Sequence, residues 1–170
     1  MEKALNRLNE LLHERNETIE LVVVGGAISV LFFENRYSTK DVDAVYPVGK
    51  EKLMEEIIKT VSAEQNLPDD WMNSGVEFFG VQTKSRNVIF KQENLILYAA
   101  EWEEMLGMKL SGAFRGNKDI DDAMEILKQI GNKNRSETLI KVVKYKNFTP
   151  EIPDDTIRKR FDLIWHKVFD

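Results

Sequence analysis

Leu5, Leu8, Leu11 and Leu12 recur at the three-and-four spacing of one helix face, which predicts an amphipathic helix over residues 2–16. Asn16-Glu17 breaks that period. Leu21-Val22-Val23-Val24 follows as a continuous β-favouring run, the pattern of a buried strand, and Gly25-Gly26 ends it. Ala27 to Phe33 reads as a short helix. Asp41-Val42-Asp43 opens a second strand, closed by Pro47 and Gly49. Leu53, Ile57, Ile58 and Val61 form the inward face of a helix over Glu51–Glu64. Leu67 to Met72, with Pro68 and Asp69-Asp70, reads as a loop entering a short helix. Val76–Val81 and Leu95–Tyr98 read as short strands.

From Glu101 onward the pattern is mostly helical. Glu101–Ala113 and Asp119–Ile130 are predicted helices, the second stopped by Gly131. Leu139–Phe148 is ambiguous. Thr149-Pro150-Glu151-Ile152-Pro153 is the one candidate linker. Asp154-Asp155 is expected to cap a last helix with Ile157, Phe161, Ile164, Trp165 and Val168 on its apolar side. Strands mixed with helices, then helices alone, make the fold class α/β with a mostly helical C-terminal half.

Composition narrows the classes without choosing among them. At 170 residues, 42% hydrophobic and 31% charged, the chain has an ordinary globular balance and can bury a real core. With no cysteine there is neither a disulfide nor a thiolate metal site. Met1-Glu2-Lys3-Ala4 opens no signal peptide and no apolar run reaches spanning length, so a cytoplasmic protein with no membrane contact is expected. A net charge of −5 argues against bulk nucleic-acid binding. The basic stretch from Lys128 to Lys146, with Lys133, Arg135, Lys141 and Lys144 against Glu137, is either a phosphate-contacting segment or a solvated helix face. His13 and His166 read as surface or boundary positions, and Trp71, Trp102 and Trp165 as core anchors.

The candidate chemistry lies between residues 22 and 46. Two glycines at a strand end permit a sharp turn and let a ligand approach the backbone, though the same pair also serves as a plain tight connection. Asp41 and Asp43, two residues apart on a strand, project to one face. Two like charges there repel unless a cation sits between them, and magnesium takes one or two carboxylates together with substrate phosphates. The alternative is a polar strand start balanced by Arg36 and Lys40.

The turn Gly25-Gly26-Ala27, followed by Arg36, Thr39, Asp41 and Asp43, resembles the signature of the nucleotidyltransferase fold of the DNA polymerase β type. Leu106-Gly107-Met108-Lys109-Leu110, with Arg115, Asp119 and Asp122 beyond it, is similar to a helical hairpin of the AbiEii-like toxin nucleotidyltransferases and their bacterial relatives. The small nucleotidyltransferases that modify antibiotics share the first stretch more clearly than the second.

This resemblance implies a small mixed sheet of about four strands in a core over 1–100, with a helical region over 101–170 completing a cleft. It implies transfer of a nucleoside monophosphate from an NTP to RNA or protein, dependent on Mg²⁺ or Mn²⁺, with an antitoxin as a further partner. The implied alternatives are a small-molecule acceptor and a nucleotide-binding protein without chemistry. Asp41 and Asp43 would hold the metal. Gly25, Gly26, Ser29, Arg36 and Thr39 would contact nucleotide phosphates, as would Lys109, acting as a point charge. Asp119 and Asp122 would support catalysis, or else stabilise a helix N-terminus; Lys109 would otherwise be a lysine snorkelling from an apolar helix, and Ser29 a small packing residue. The third carboxylate usual in such sites is Glu77, is replaced by Asp119 or Asp122, or is missing.

Overall fold

A computed structural model describes residues 1–34, 41–76, 84–112, 116–145 and 152–170, with the side chains of 84–86 outside the description. Its contacts divide the chain into two compact units, Met1–Ala100 and Glu101–Asp170.

The first unit is built on a five-stranded mixed sheet in the order β3-β2-β1-β5-β4. Strand β1 (Ile19–Val24) is central, antiparallel to β2 (Val42–Val45) and parallel to β5 (Leu95–Ala100). Its Leu21 and Val23 are fully buried, as a strand covered by helices requires. Helix α1 (Glu2–Glu14) buries Leu5, Leu8, Leu11 and Leu12 and packs on α3 (Glu51–Gln65) and β5. In α3 the buried face is Met54, Ile57, Ile58 and Val61; Leu53 is only half-buried, one position off the expected stripe. Short helix α2 (Gly26–Leu31) packs on β1 and β2.

Three parts of this unit differ from expectation. The segment after Pro68 enters no helix: it turns, and Met72–Asn73 forms strand β3, parallel to β2. Trp71 drives this course by burying its ring and donating its indole N–H to the Ile58 carbonyl, 3.2 Å away in α3. Strand β4 (Lys84–Lys91), antiparallel to β5 with register irregularities, was not expected at all. Its sequence, Lys-Ser-Arg-Asn-Val-Ile-Phe-Lys, suits an edge strand, where charge discourages further pairing but also erases the apolar signal. Val76 lies in a helical turn rather than a strand, and 77–81 fall outside the described residues.

The second unit has four described helices: α4 (Trp102–Ser111), α5 (Asn117–Ile130), α6 (Arg135–Lys144) and α7 (Asp154–Phe169). Helix α4 touches the other three, which is why it is buried nearly all round and shows no clean amphipathic stripe. Gly107 allows the closest approach, since a Cβ there would stand 2.8 Å from the Val142 carbonyl oxygen of α6. Of the ambiguous stretch, Leu139 to Lys144 belong to the helix that starts at Arg135 and is capped by Asn134, whose side chain accepts from the Glu137 N–H at 3.1 Å, and 146–148 lie outside the described residues. The expected side-chain cap at Asp154-Asp155 is absent; Pro153 is the capping position, and the acids instead sit in the first turn, where the helix dipole favours them. Phe161 and Trp165 of α7 are core residues, and Trp102 is also buried. The expected linker falls mostly outside the described residues, at 149–151.

Candidate functional site

The antiparallel register of β1 and β2 pairs Val24 with Asp43. Gly25 comes next in the chain, so the glycine turn and the Asp43 carboxylate lie side by side for a reason of backbone pairing. Gly25 adopts φ 72° and ψ −146°, a conformation that L side chains rarely reach. A Cβ on Gly25 would also stand 3.2 Å from Asp43 Oδ2. Both facts make the position one for glycine, and the second sets the turn directly against a carboxylate oxygen.

The other oxygen of Asp43 faces β3. Asn73 is its partner in the parallel β2–β3 register, and Asn73 Nδ2 donates to Asp43 Oδ1 at 3.2 Å. Asp43 is half-buried, whereas Asp41, one residue before β2, is exposed. Burial, and after it the neighbouring charge of Asp41, push the Asp43 carboxyl above the ordinary carboxylate range; the Asn73 amide pulls weakly the other way. An anion held there against desolvation and a like charge is a place where a cation relieves both costs.

Whether these residues fit magnesium turns on the donor set. No group of three or more His, Cys, Asp or Glu side chains is placed to hold a metal ion among the described residues. Two carboxylates do meet the ion's ordinary demand, provided substrate phosphates and water supply the remaining oxygens. The fit is therefore to a metal that arrives with a nucleotide, not to a protein-only cage.

The remaining predicted site residues divide into three groups. Ser29 is buried at 2% exposure, the position of a packing residue in α2. Arg36, Thr39 and Glu77 lie outside the described residues, as do Lys40 and Arg115. Lys109, Asp119 and Asp122 come together within the second unit. Lys109 Nζ stands 3.2 Å from Asp119 Oδ1 and 2.9 Å from Asp122 Oδ2. The Asp122 side chain is only 3% exposed, so its charge is deeply placed and the lysine answers it. Lys109, for which the sequence offers a phosphate's point charge or a snorkelling lysine, is ion-paired with both carboxylates. Gly116, not an acid, is the N-cap of α5, and Asp119 lies in its first turn.

Three cations of the basic stretch are also ion-paired. Lys128 meets Glu125 at 2.7 Å, Lys141 meets Glu137 at 3.1 Å, and Arg135 pairs with Asp162. That is the pattern of a solvated helix face. His13 contacts the Asn94 side chain and His166 the Asp170 carboxylate, both at exposed ring positions.

Asn73 is the site residue that the sequence reading missed. One local signal was available: an Asn two residues before Gly75 suits an Asx turn, and Asn73 Oδ1 does accept the Gly75 N–H at 3.0 Å. Its contact with Asp43 depends on strand register, which no local pattern displays.

No protein-family model matches the chain, and neither a curated protein nor a solved structure does. No helix among the described residues is long and apolar enough to cross a membrane.

Proposed function

We propose that the chain is a magnesium-dependent nucleotidyltransferase that moves a nucleoside monophosphate from an NTP to an RNA or protein acceptor, in the manner of toxin-like members of that fold. One observation carries the reading: the glycine turn after β1 stands against the carboxylate of Asp43, with Asp41 beside it. The mixed sheet with flanking helices is the architecture that the resemblance implies.

In this reading Asp41 and Asp43 are the protein's ligands to the metal, and Gly25-Gly26 offers backbone N–H groups to a phosphate without a side chain in the way. Magnesium, when bound, supplies charge neutralisation to a triphosphate. Asp43 contributes orientation, because one oxygen is tied to Asn73 and the other is left beside the turn. The acceptor hydroxyl would form the new bond to the α-phosphorus as the bond to pyrophosphate breaks, a reaction that depends on positioning more than on a protein nucleophile. The cytoplasm, where NTP and magnesium are plentiful, is the compartment that this reading calls for.

A second reading, a nucleotide-binding protein without transfer, is favoured by the amide of Asn73 beside Asp43 and by the lack of a three-carboxylate group placed to hold a metal among the described residues. Titration calorimetry with Mn²⁺ and each NTP, followed by incubation of labelled NTPs with magnesium and total RNA or protein, separates the two. Metal-dependent NTP binding with label transferred supports the enzyme; binding without transfer supports the second reading. NTP affinity equal with and without metal removes the enzyme, and no NTP binding at all removes both.

A further inference from the structure

The Asn73 amide has two fixed neighbours. Its Oδ1 accepts the Gly75 N–H at 3.0 Å, so the group facing Asp43 is the donor end, Nδ2, 3.2 Å from Asp43 Oδ1. The Gly75 N–H thus settles which way round the amide sits, a choice that its shape alone leaves open. The approach is close: a Cβ on Gly75 would stand 3.1 Å from Asn73 Oδ1. Strand β3 is only Met72–Asn73, yet it is placed so that Asn73 pairs with Asp43 itself.

We propose that Asn73 is the positioning residue of the Asp41–Asp43 centre: oriented by the Gly75 N–H, it holds Asp43 Oδ1 so that Oδ2 stays beside the Gly25 turn for a divalent cation. The inference rests on the proposed function and deepens it. A metal ligand is seldom held by its strand alone; a hydrogen bond to the non-ligating atom sets its angle and removes the entropy of its rotation. The same amide adds no charge to the centre. A carboxylate in its place would set a third anion against Asp43 and Asp41, while its oxygen would still accept from Gly75.

That asymmetry makes the test. Asn73→Asp keeps the acceptor for Gly75 and replaces only the donor toward Asp43. Asn73→Ala removes both. With an NTP present throughout, Mn²⁺ titration calorimetry and melting curves in chelator and in Mn²⁺ are recorded for the parent and both variants. The expected results are an Mn²⁺ affinity about tenfold weaker in Asn73→Ala, and in Asn73→Asp a lower metal-free melting temperature that Mn²⁺ restores. A residue that merely caps the turn would leave Asn73→Asp at the parent's melting temperature, or leave any loss untouched by Mn²⁺; either result overturns the proposal, as does parental Mn²⁺ affinity in Asn73→Ala. A parent that binds no Mn²⁺ even with an NTP present removes the proposed function and this inference together, whereas a binding parent with unchanged variants removes the inference alone.

Discussion

Two pairs of aspartates, one in each unit, meet the same electrostatic problem in opposite ways. Asp119 and Asp122 share Lys109, at 3.2 and 2.9 Å. Asp41 and Asp43 share no Lys or Arg ion pair among the described residues; Asp43 has the neutral Asn73 amide instead. The first cluster is complete as it stands, since a cation is already built in. The second has no built-in cation among the described residues and lies beside the glycine turn, where a cation from outside would relieve its charge. Acidic sequence spacing alone does not separate these cases: D-x-D on a strand and D-x-x-D on a helix both look like ligand pairs until the counter-charge is located.

The largest expected effect comes from removing that counter-charge. Lys109→Ala leaves the nearly inaccessible Asp122 without its lysine, and should cost the second unit about 3 kcal/mol in chemical denaturation. If Lys109 served only a nucleotide phosphate, stability would scarcely change. Lys109→Ala combined with Asp122→Asn should recover much of the loss, because the buried charge that the lysine answers is then gone. A single variant as stable as the parent would break the contrast between the clusters.

Gly25→Ala comes next. The substitution forces a side chain into a positive-φ conformation and sets a methyl group 3.2 Å from Asp43 Oδ2. A loss of roughly 1–3 kcal/mol is expected. Mn²⁺ affinity should fall as well, since the methyl group occupies the side from which Oδ2 is approached. Unchanged Mn²⁺ binding in a folded variant would show that the turn and the carboxylate do not act together.

The Asp43 carboxyl tests the comparison with opposite sign. It is raised in the folded protein, so folding disfavours its ionised form. Below the ordinary value of about 3.9 it is protonated whether the chain is folded or unfolded, and contributes nothing. As pH climbs past that value toward the raised one, the penalty grows to its full size. The metal-free Asp43→Asn protein should therefore be more stable than the metal-free parent at neutral pH, by about 0.5–2 kcal/mol, with the advantage vanishing near pH 4. Magnesium should stabilise the parent by mass action and the variant much less. A variant that is less stable in chelator at neutral pH would mean that the pair is already neutralised.

How much of this was legible in the sequence depended on the range of the interaction that decides each feature. Helix α1, with its leucine stripe, and strand β1, with its valine run, each carry their own signal, and both stand within two residues of expectation at every boundary. Strand β3 has no such signal, because two residues cannot show a period; it exists because Trp71 anchors the preceding turn to α3 and β2 offers a free edge. Helix α4 hid its packing for the converse reason, being apolar on too many sides to display a stripe. In the candidate site, Gly25 and Asp43 could be picked out by type and spacing. Their adjacency and the Asn73 contact are matters of strand register, and the Lys109 ion pairs require two helices to be brought together.

The smallest expected effect belongs to a third acidic cluster, which separates burial from counter-charge. Arg7 of α1 meets Glu64 of α3 at 2.7 Å, along with Glu10 at 2.9 Å and Glu14 at 3.3 Å. A cation among carboxylates repeats the Lys109 arrangement, but these glutamates are 41–59% exposed where Asp122 is 3%. Water screens such a pair, and ordering the long side chains offsets part of what is gained. Its hydrogen bond to Arg7, and secondarily the guanidinium's charge, hold the Glu64 carboxyl below its ordinary range, so its contribution has the reverse pH sign to that of Asp43. It is present above the unfolded value and is lost as pH falls through the folded one. Arg7→Ala should thus be slightly less stable than the parent at neutral pH, by less than any variant above. The difference should close on acidification, and also in about 1 M salt, where the screening length shrinks to about 3 Å. Paired melting curves across pH and salt measure it. A loss as large as that of Lys109→Ala, or one indifferent to salt, would show that burial is not what distinguishes the clusters.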